Sequence, residues 1–180
     1  MKYAAFLRGI NLGKVRRVSN ADLKSHFEDM GLEDVATFRA SGNVIFAAGR
    51  ESESKLIARV ENALREALGY EVTTFLRDET EVKAIAQLEP FPPETVERSK
   101  GKLQVSMLPK PPAKKPRDAV LAMATDDDAL AFGERELYWL PSGGQMQSEL
   151  DLNAIEKLVG PTTRRTLGTI EQIAAKHFAD

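Results

Sequence analysis

The order of apolar segments predicts an α+β protein of two ferredoxin-like lobes, each of the βαββαβ type with a mostly antiparallel sheet. Three observations predict it. Short apolar runs and helix-period stripes follow one another through residues 1–77 in the order β-α-β-β-α-β. Two of those runs are joined by the turn-forming triplet Ser41-Gly42-Asn43, the signature of a hairpin. From residue 102 onward the same element order starts again, reaching β-α-β-β-α without an obvious last strand.

Tyr3 to Arg8 is a short apolar run suited to a buried strand, and it breaks into the loop Gly9-Ile10-Asn11-Leu12-Gly13. Ser19 offers an N-cap with Asp22 three residues on, and Leu23, Phe27 and Met30 mark one face of a helix that Gly31 ends. Val35 to Ala40 and Val44 to Ala48 form the hairpin. Ser52 or Ser54 starts a helix striped by Leu56, Val60, Leu64 and Leu68, with Gly69 as its stop. Glu71 to Arg77, rich in Val, Thr and Phe, reads as the fourth strand.

Residues 78–101 are expected to bridge the lobes: Asp78 and Glu81 cap a helix carrying Val82 and Ile85, and Pro90-Phe91-Pro92-Pro93 ends it. In residues 102–180, Lys102 to Leu108 is a strand, Pro109 to Pro116 a stiff connector and Asp118 to Met123 a short helix. Ala129 to Gly133 and Glu136 to Leu140 read as a second hairpin. Helices around Leu152 to Val159 and Leu167 to Phe178 close the chain on either side of Gly160-Pro161.

A chain of 180 residues buries roughly 70% of its unfolded surface, enough to fold without staples. It has no cysteine, which removes disulfides, thiolate metal sites and cysteine nucleophiles. No secretion leader and no apolar stretch near the ~20 residues of a membrane span is visible, so the expected setting is cytoplasmic, with no membrane partner. Lys and Arg number 25 against 27 Asp and Glu, leaving no global field to draw nucleic acid, so any electrostatic recognition must be local.

One local concentration stands out. In a ferredoxin-like sheet the first two strands run parallel with the third antiparallel between them, so the end of strand 1 and the first hairpin turn share one edge. Arg8, Asn11, Lys14, Arg16, Arg39, Ser41 and Asn43, with the start of the first helix and flexible glycines, are donor-rich parts for a small anionic, phosphate-bearing ligand. The plainer reading gives the glycines to turn geometry and Asn11 and Asn43 to loop backbone groups. No cofactor motif appears: there is no Walker sequence, no Gly-x-Gly-x-x-Gly and no metal cluster around His26 or His177. Asp126, Asp127 and Asp128 lack the EF-hand pattern and read as a solvated acidic turn. Phe38, Phe46 and Phe75 lie on strands, but the basic-aromatic-glycine motif of RNA-binding sheets is missing, and core rings are the expectation.

The opening Ala5-Phe6-Leu7-Arg8-Gly9-Ile10-Asn11-Leu12-Gly13 and the later Ser41-Gly42-Asn43-Val44-Ile45-Phe46, at their spacing, resemble the bacterial family known as domain of unknown function 1697. The resemblance extends through Pro90-Phe91, Leu137-Tyr138 and the final helix, and implies the two-lobed fold without an activity or catalytic residue. Members often end in Thr-Thr-Arg-Asn-Trp-Asn-Thr-Val; the matching stretch here is Thr163 to Ile170, in which Arg165 and Thr169 persist. By that resemblance Arg165 joins the ligand-binding candidates, against the plain alternative of a helix-start arginine paired with a surface carboxylate. Two other functions stay open: an enzyme of unknown reaction using the same pocket, or a module binding nucleic acid or protein. Oligomeric state is not legible.

Overall fold

The computed structural model describes residues 1–15 and 17–179. Its strands are β1 (Lys2–Arg8), β2 (Glu33–Thr37), β3 (Asn43–Ala47), β4 (Thr73–Asp78), β5 (Gln104–Met107), β6 (Asp128–Phe132), β7 (Glu136–Pro141) and β8 (Thr163–Thr166). The helices are α1 (Asn20–Asp29), α2 (Glu53–Leu68), α3 (Glu79–Gln87), α4 (Pro93–Arg98), α5 (Lys114–Leu121), α6 (Leu152–Val159) and α7 (Leu167–His177). They build two four-stranded antiparallel sheets, ordered β2-β3-β1-β4 and β6-β7-β5-β8. Renumbered within each lobe, both orders are 2-3-1-4, the ferredoxin-like arrangement. The chain divides into two compact units, Met1–Val82 with Lys176–Asp180, and Lys83–Ala175.

In the N-terminal unit, strand alternation assigns two faces. Tyr3, Ala5 and Leu7 of β1 and Val44 and Phe46 of β3 meet Leu23 and Phe27 of α1 and Leu56, Val60 and Leu64 of α2 in one core. The helices are set by their ends: Ser19 and Ser52 accept from the backbone N–H groups of Asp22 and Lys55, and Gly69 closes α2 in a left-handed conformation. The opposite face carries Ala4, Phe6, Ile45, Phe75 and Arg77, every one buried. Phe46 and Phe75 are thus both core rings, whereas Phe38 lies in the hairpin turn beyond β2 and is half-buried. At the edge of this sheet β2 carries a bulge between Glu33 and Ala36, where Asp34 turns to φ 51°.

In the second unit Leu108, Leu130, Leu137 and Trp139 pack with Val120 of α5 and Ile155 and Val159 of α6. Three expectations change here. The last strand exists: β8 pairs along β5 from Gln104↔Thr166 to Met107↔Thr163. Its sequence Thr-Arg-Arg-Thr has no apolar alternation, since the ladder rather than hydrophobicity holds it. Helix α5 starts at Lys114 and takes Pro116 into its first turn, where backbone N–H groups have no helical acceptor and proline costs little. Pro93, expected to close the proline stop Pro90-Phe91-Pro92-Pro93, instead opens the short helix α4.

The two lobes match in register at one telling position. Asp78 accepts from the N–H of Glu81 (2.9 Å) to cap α3, and Thr166 accepts from Thr169 (3.3 Å) to cap α7. The residue before each cap is an arginine on the last strand, Arg77 opposite Ala4 and Arg165 opposite Val105. Both are buried, at 1% and 9% exposure.

Candidate functional site

The register of β1 against β3 decides whether the predicted rim exists. Phe6 lies opposite Asn43, so Arg8, two residues on, occupies the same face at the same end of the sheet as Asn43 and the turn before it. The amide N–H of Leu7 donates to the Gly42 carbonyl (2.9 Å), fastening that turn to β1. Arg8 is half-buried, and the loop that follows it turns back through left-handed residues at Gly9 (φ 89°), Asn11 (φ 56°) and Gly13 (φ 62°).

The asparagines do the work that loop geometry asks of them. Asn11 Nδ2 donates to the Ala40 carbonyl (2.9 Å) while its Oδ1 accepts from the Val18 N–H (3.0 Å), so one side chain ties the β1–α1 loop to the hairpin turn. Asn43, at 1% exposure, donates to the Phe38 carbonyl (2.8 Å) and to Ser41 Oγ (3.0 Å). Ser41 and Asn43 therefore shape the turn from inside. Arg39 leaves the strand predicted for it: β2 ends at Thr37, and Arg39 (φ 56°) sits exposed in the turn with its guanidinium 5.5 Å from the Phe38 ring. Lys14 is exposed on the loop, and Arg17, further along, donates from Nε to the Gly13 carbonyl (2.9 Å). Arg16 lies outside the described residues.

The same turn gathers side chains from the far end of the chain that sequence spacing could not join. Lys176 Nζ lies 6.0 Å from the Phe38 ring, and the His177 ring meets Phe38 edge-on at 6.4 Å. Burial, with Lys176 and Lys2 nearby, lowers the His177 pKa from its ordinary value.

Arg165 belongs to the C-terminal sheet, not to the start of a helix. It donates to Thr163 Oγ1 and to the Arg164 carbonyl, both at 2.9 Å, and burial brings its pKa down to about 10. Its neighbour Arg164 faces the other way, over the Trp139 ring at 5.1 Å. The acidic run is likewise more structured than a solvated turn: Asp126 and Asp127 are exposed, but Asp128 is 5% exposed and accepts from Trp139 Nε1 and Ser148 Oγ, each at 2.7 Å. Among the described residues no group of three His, Asp or Glu side chains could hold a metal ion. Nor is any described helix long and apolar enough to cross a membrane.

Fold and register define an α+β protein with two ferredoxin-like lobes. The chain belongs to the family described as Protein of unknown function (DUF1697), whose model matches residues 1–138. A solved structure similar to it is that of the conserved bacterial protein SP0830 from Streptococcus pneumoniae, 19% identical, covering 99% of this chain and 98% of that one with a TM-score of 0.73. No curated relative matches the chain.

Proposed function

We propose that the N-terminal lobe, residues 1–77, is a binding module for a small anionic, phosphate-bearing ligand. Arg8 is the principal contact, Lys14 and Arg39 close over it, and Asn11, Ser41 and Asn43 hold the two loops in place. The observation that carries this reading is the register pairing Phe6 with Asn43, which puts Arg8 beside a turn built on left-handed residues. A loop so tied pays its ordering entropy in folding rather than in binding, which favours affinity for a small anion. Guanidinium groups match phosphate oxygens in bidentate geometry, so a half-buried arginine is the natural anchor.

A thermal-shift screen of phosphorylated metabolites tests it. A ligand present at about 100 times its Kd adds about 2.7 kcal/mol of stability, a clear rise in Tm. We expect that rise in the wild type and its loss in Arg8→Ala. The reading fails if no phosphorylated compound raises the wild-type Tm at millimolar concentration.

A further inference from the structure

The register that places Arg8 on the rim also places Phe38. Phe38 donates its backbone N–H to the Asn43 carbonyl (3.0 Å), which carries the β2–β3 pairing one step past Thr37↔Val44, and Asn43 lies opposite Phe6. Residues opposite one another in a ladder share a face, as do residues two apart on one strand. Phe38, Asn43, Phe6 and Arg8 therefore occupy one face of the first sheet, the face away from Val44 and the core under α1 and α2. With strands about 4.8 Å apart and a rise of about 3.4 Å per residue, the backbones of Phe38 and Arg8 are roughly 12 Å apart.

Phe38 is also the strand-end ring that core packing leaves over. Phe6, Phe46 and Phe75 are buried at 0%, 0% and 2% exposure, whereas Phe38 stays half-buried. The edge of the His177 ring, 6.4 Å away within the same unit, steadies it from the side. Two exposed cations stand over it, the Arg39 guanidinium at 5.5 Å and Lys176 Nζ at 6.0 Å from the ring centre.

We propose that the ligand of the rim is a free nucleoside monophosphate, its base stacked against Phe38 and its phosphate held at Arg8. This rests on the anion-binding reading above and adds to it an end that selects for a base. A bare phosphate or a small sugar phosphate at Arg8 leaves Phe38 without a use, whereas a nucleotide has a flat π face at one end and the anion at the other. Base stacking on an aromatic side chain tolerates any base, and a guanidinium covers the outer face of a base as it covers a ring, a place Arg39 is set to take. A long nucleic acid is a poorer fit, because 25 Lys and Arg against 27 Asp and Glu give no broad field for a chain of phosphates.

The test is isothermal titration of the full chain with AMP, GMP, CMP and UMP, with ribose 5-phosphate as the probe that lacks a base. We expect at least one nucleotide to bind about tenfold or more tightly than ribose 5-phosphate, a factor within what base–aromatic stacking supplies. Phe38→Leu should bring that nucleotide down to the affinity of ribose 5-phosphate and leave ribose 5-phosphate itself unchanged, while Phe38→Trp should keep the preference. Arg8→Ala should weaken both ligands together. Should Phe38→Leu not fold, the comparison of ligands on the wild type and on Phe38→Trp decides the matter. Three results overturn the nucleotide assignment: ribose 5-phosphate binding as tightly as every nucleotide, Phe38→Leu keeping the preference, or no nucleotide binding up to about 10 mM, above the millimolar Kd of weak association. The first two leave the anion site standing, and after the third the screen of other phosphorylated metabolites decides that site by itself.

Discussion

Gly42 is the residue on which the rim turns. Its φ is +74°, and a Cβ there would sit 2.7 Å from Ile10 Cγ2 and 3.1 Å from Leu7 Cβ. Both the left-handed backbone and the contact with β1 demand glycine. Gly42→Ala should destabilise the protein by about 2–4 kcal/mol, adding left-handed strain to overpacking. Urea unfolding measures it, and an unchanged midpoint would contradict the packing described. Asn43 beside it illustrates what a sequence hides. Its place at the hairpin is legible from the Ser-Gly-Asn triplet, but its amide bonds to Phe38 and Ser41 are not, because one partner is a backbone carbonyl with no signature. Arg8 and Asn43 could be put on one rim from strand direction alone. The addition of Lys176 and His177 to the same turn could not, since more than 130 residues separate them from Phe38.

At the scale of elements, periodicity and caps were legible wherever an amphipathic face did the folding. The stripe of α2 and the serine caps of α1 and α2 stand where spacing puts them. The reciprocal pair Asp78–Glu81, each side chain accepting the other's N–H at 2.9 Å, also follows from spacing. Strand β8 escaped because its burial is polar: its two buried side chains are Thr163 and Arg165. A four-residue strand held by one neighbour leaves no periodic trace. The end of α7 adds a testable pH dependence. His177 faces the Phe38 ring, with Lys176 and Lys2 as its charged neighbours, and its Nε2 is buried without a hydrogen-bond partner among the described residues. Because the folded pKa is lowered from 6.5, the unfolded chain binds the proton more readily. This contribution to stability is therefore intact above pH 6.5 and declines as pH falls through that value towards the folded pKa. Thermal melts should show Tm falling more steeply below pH 6.5 in the wild type than in His177→Gln; parallel profiles would refute the assignment.

Across the whole molecule the same plan is used twice, and the repeat reaches the level of single residues. Arg77 and Arg165 each precede the cap of a helix and each face the first strand of their own sheet. The units nevertheless differ in what completes them. Phe178, 1% exposed, is counted with the N-terminal unit although it lies at the far end of the sequence. Phe178→Ala should cost about 3–5 kcal/mol as a large-to-small core change. Hydrogen exchange should rise in β1 to β4 more than in β5 to β8; equal deprotection of both sheets, or none, would refute that placement. The bulge in β2 bears on a different matter, the encounter of one molecule with the next. A lone outer strand with a straight run of free amides invites a stranger to zip alongside it. Here Glu33 and Asp34 are exposed acids where the strand kinks, so a like-charged copy approaching that margin meets repulsion and a broken template. If this protein assembles with itself, continuation of the first sheet through β2 is the geometry its own edge discourages.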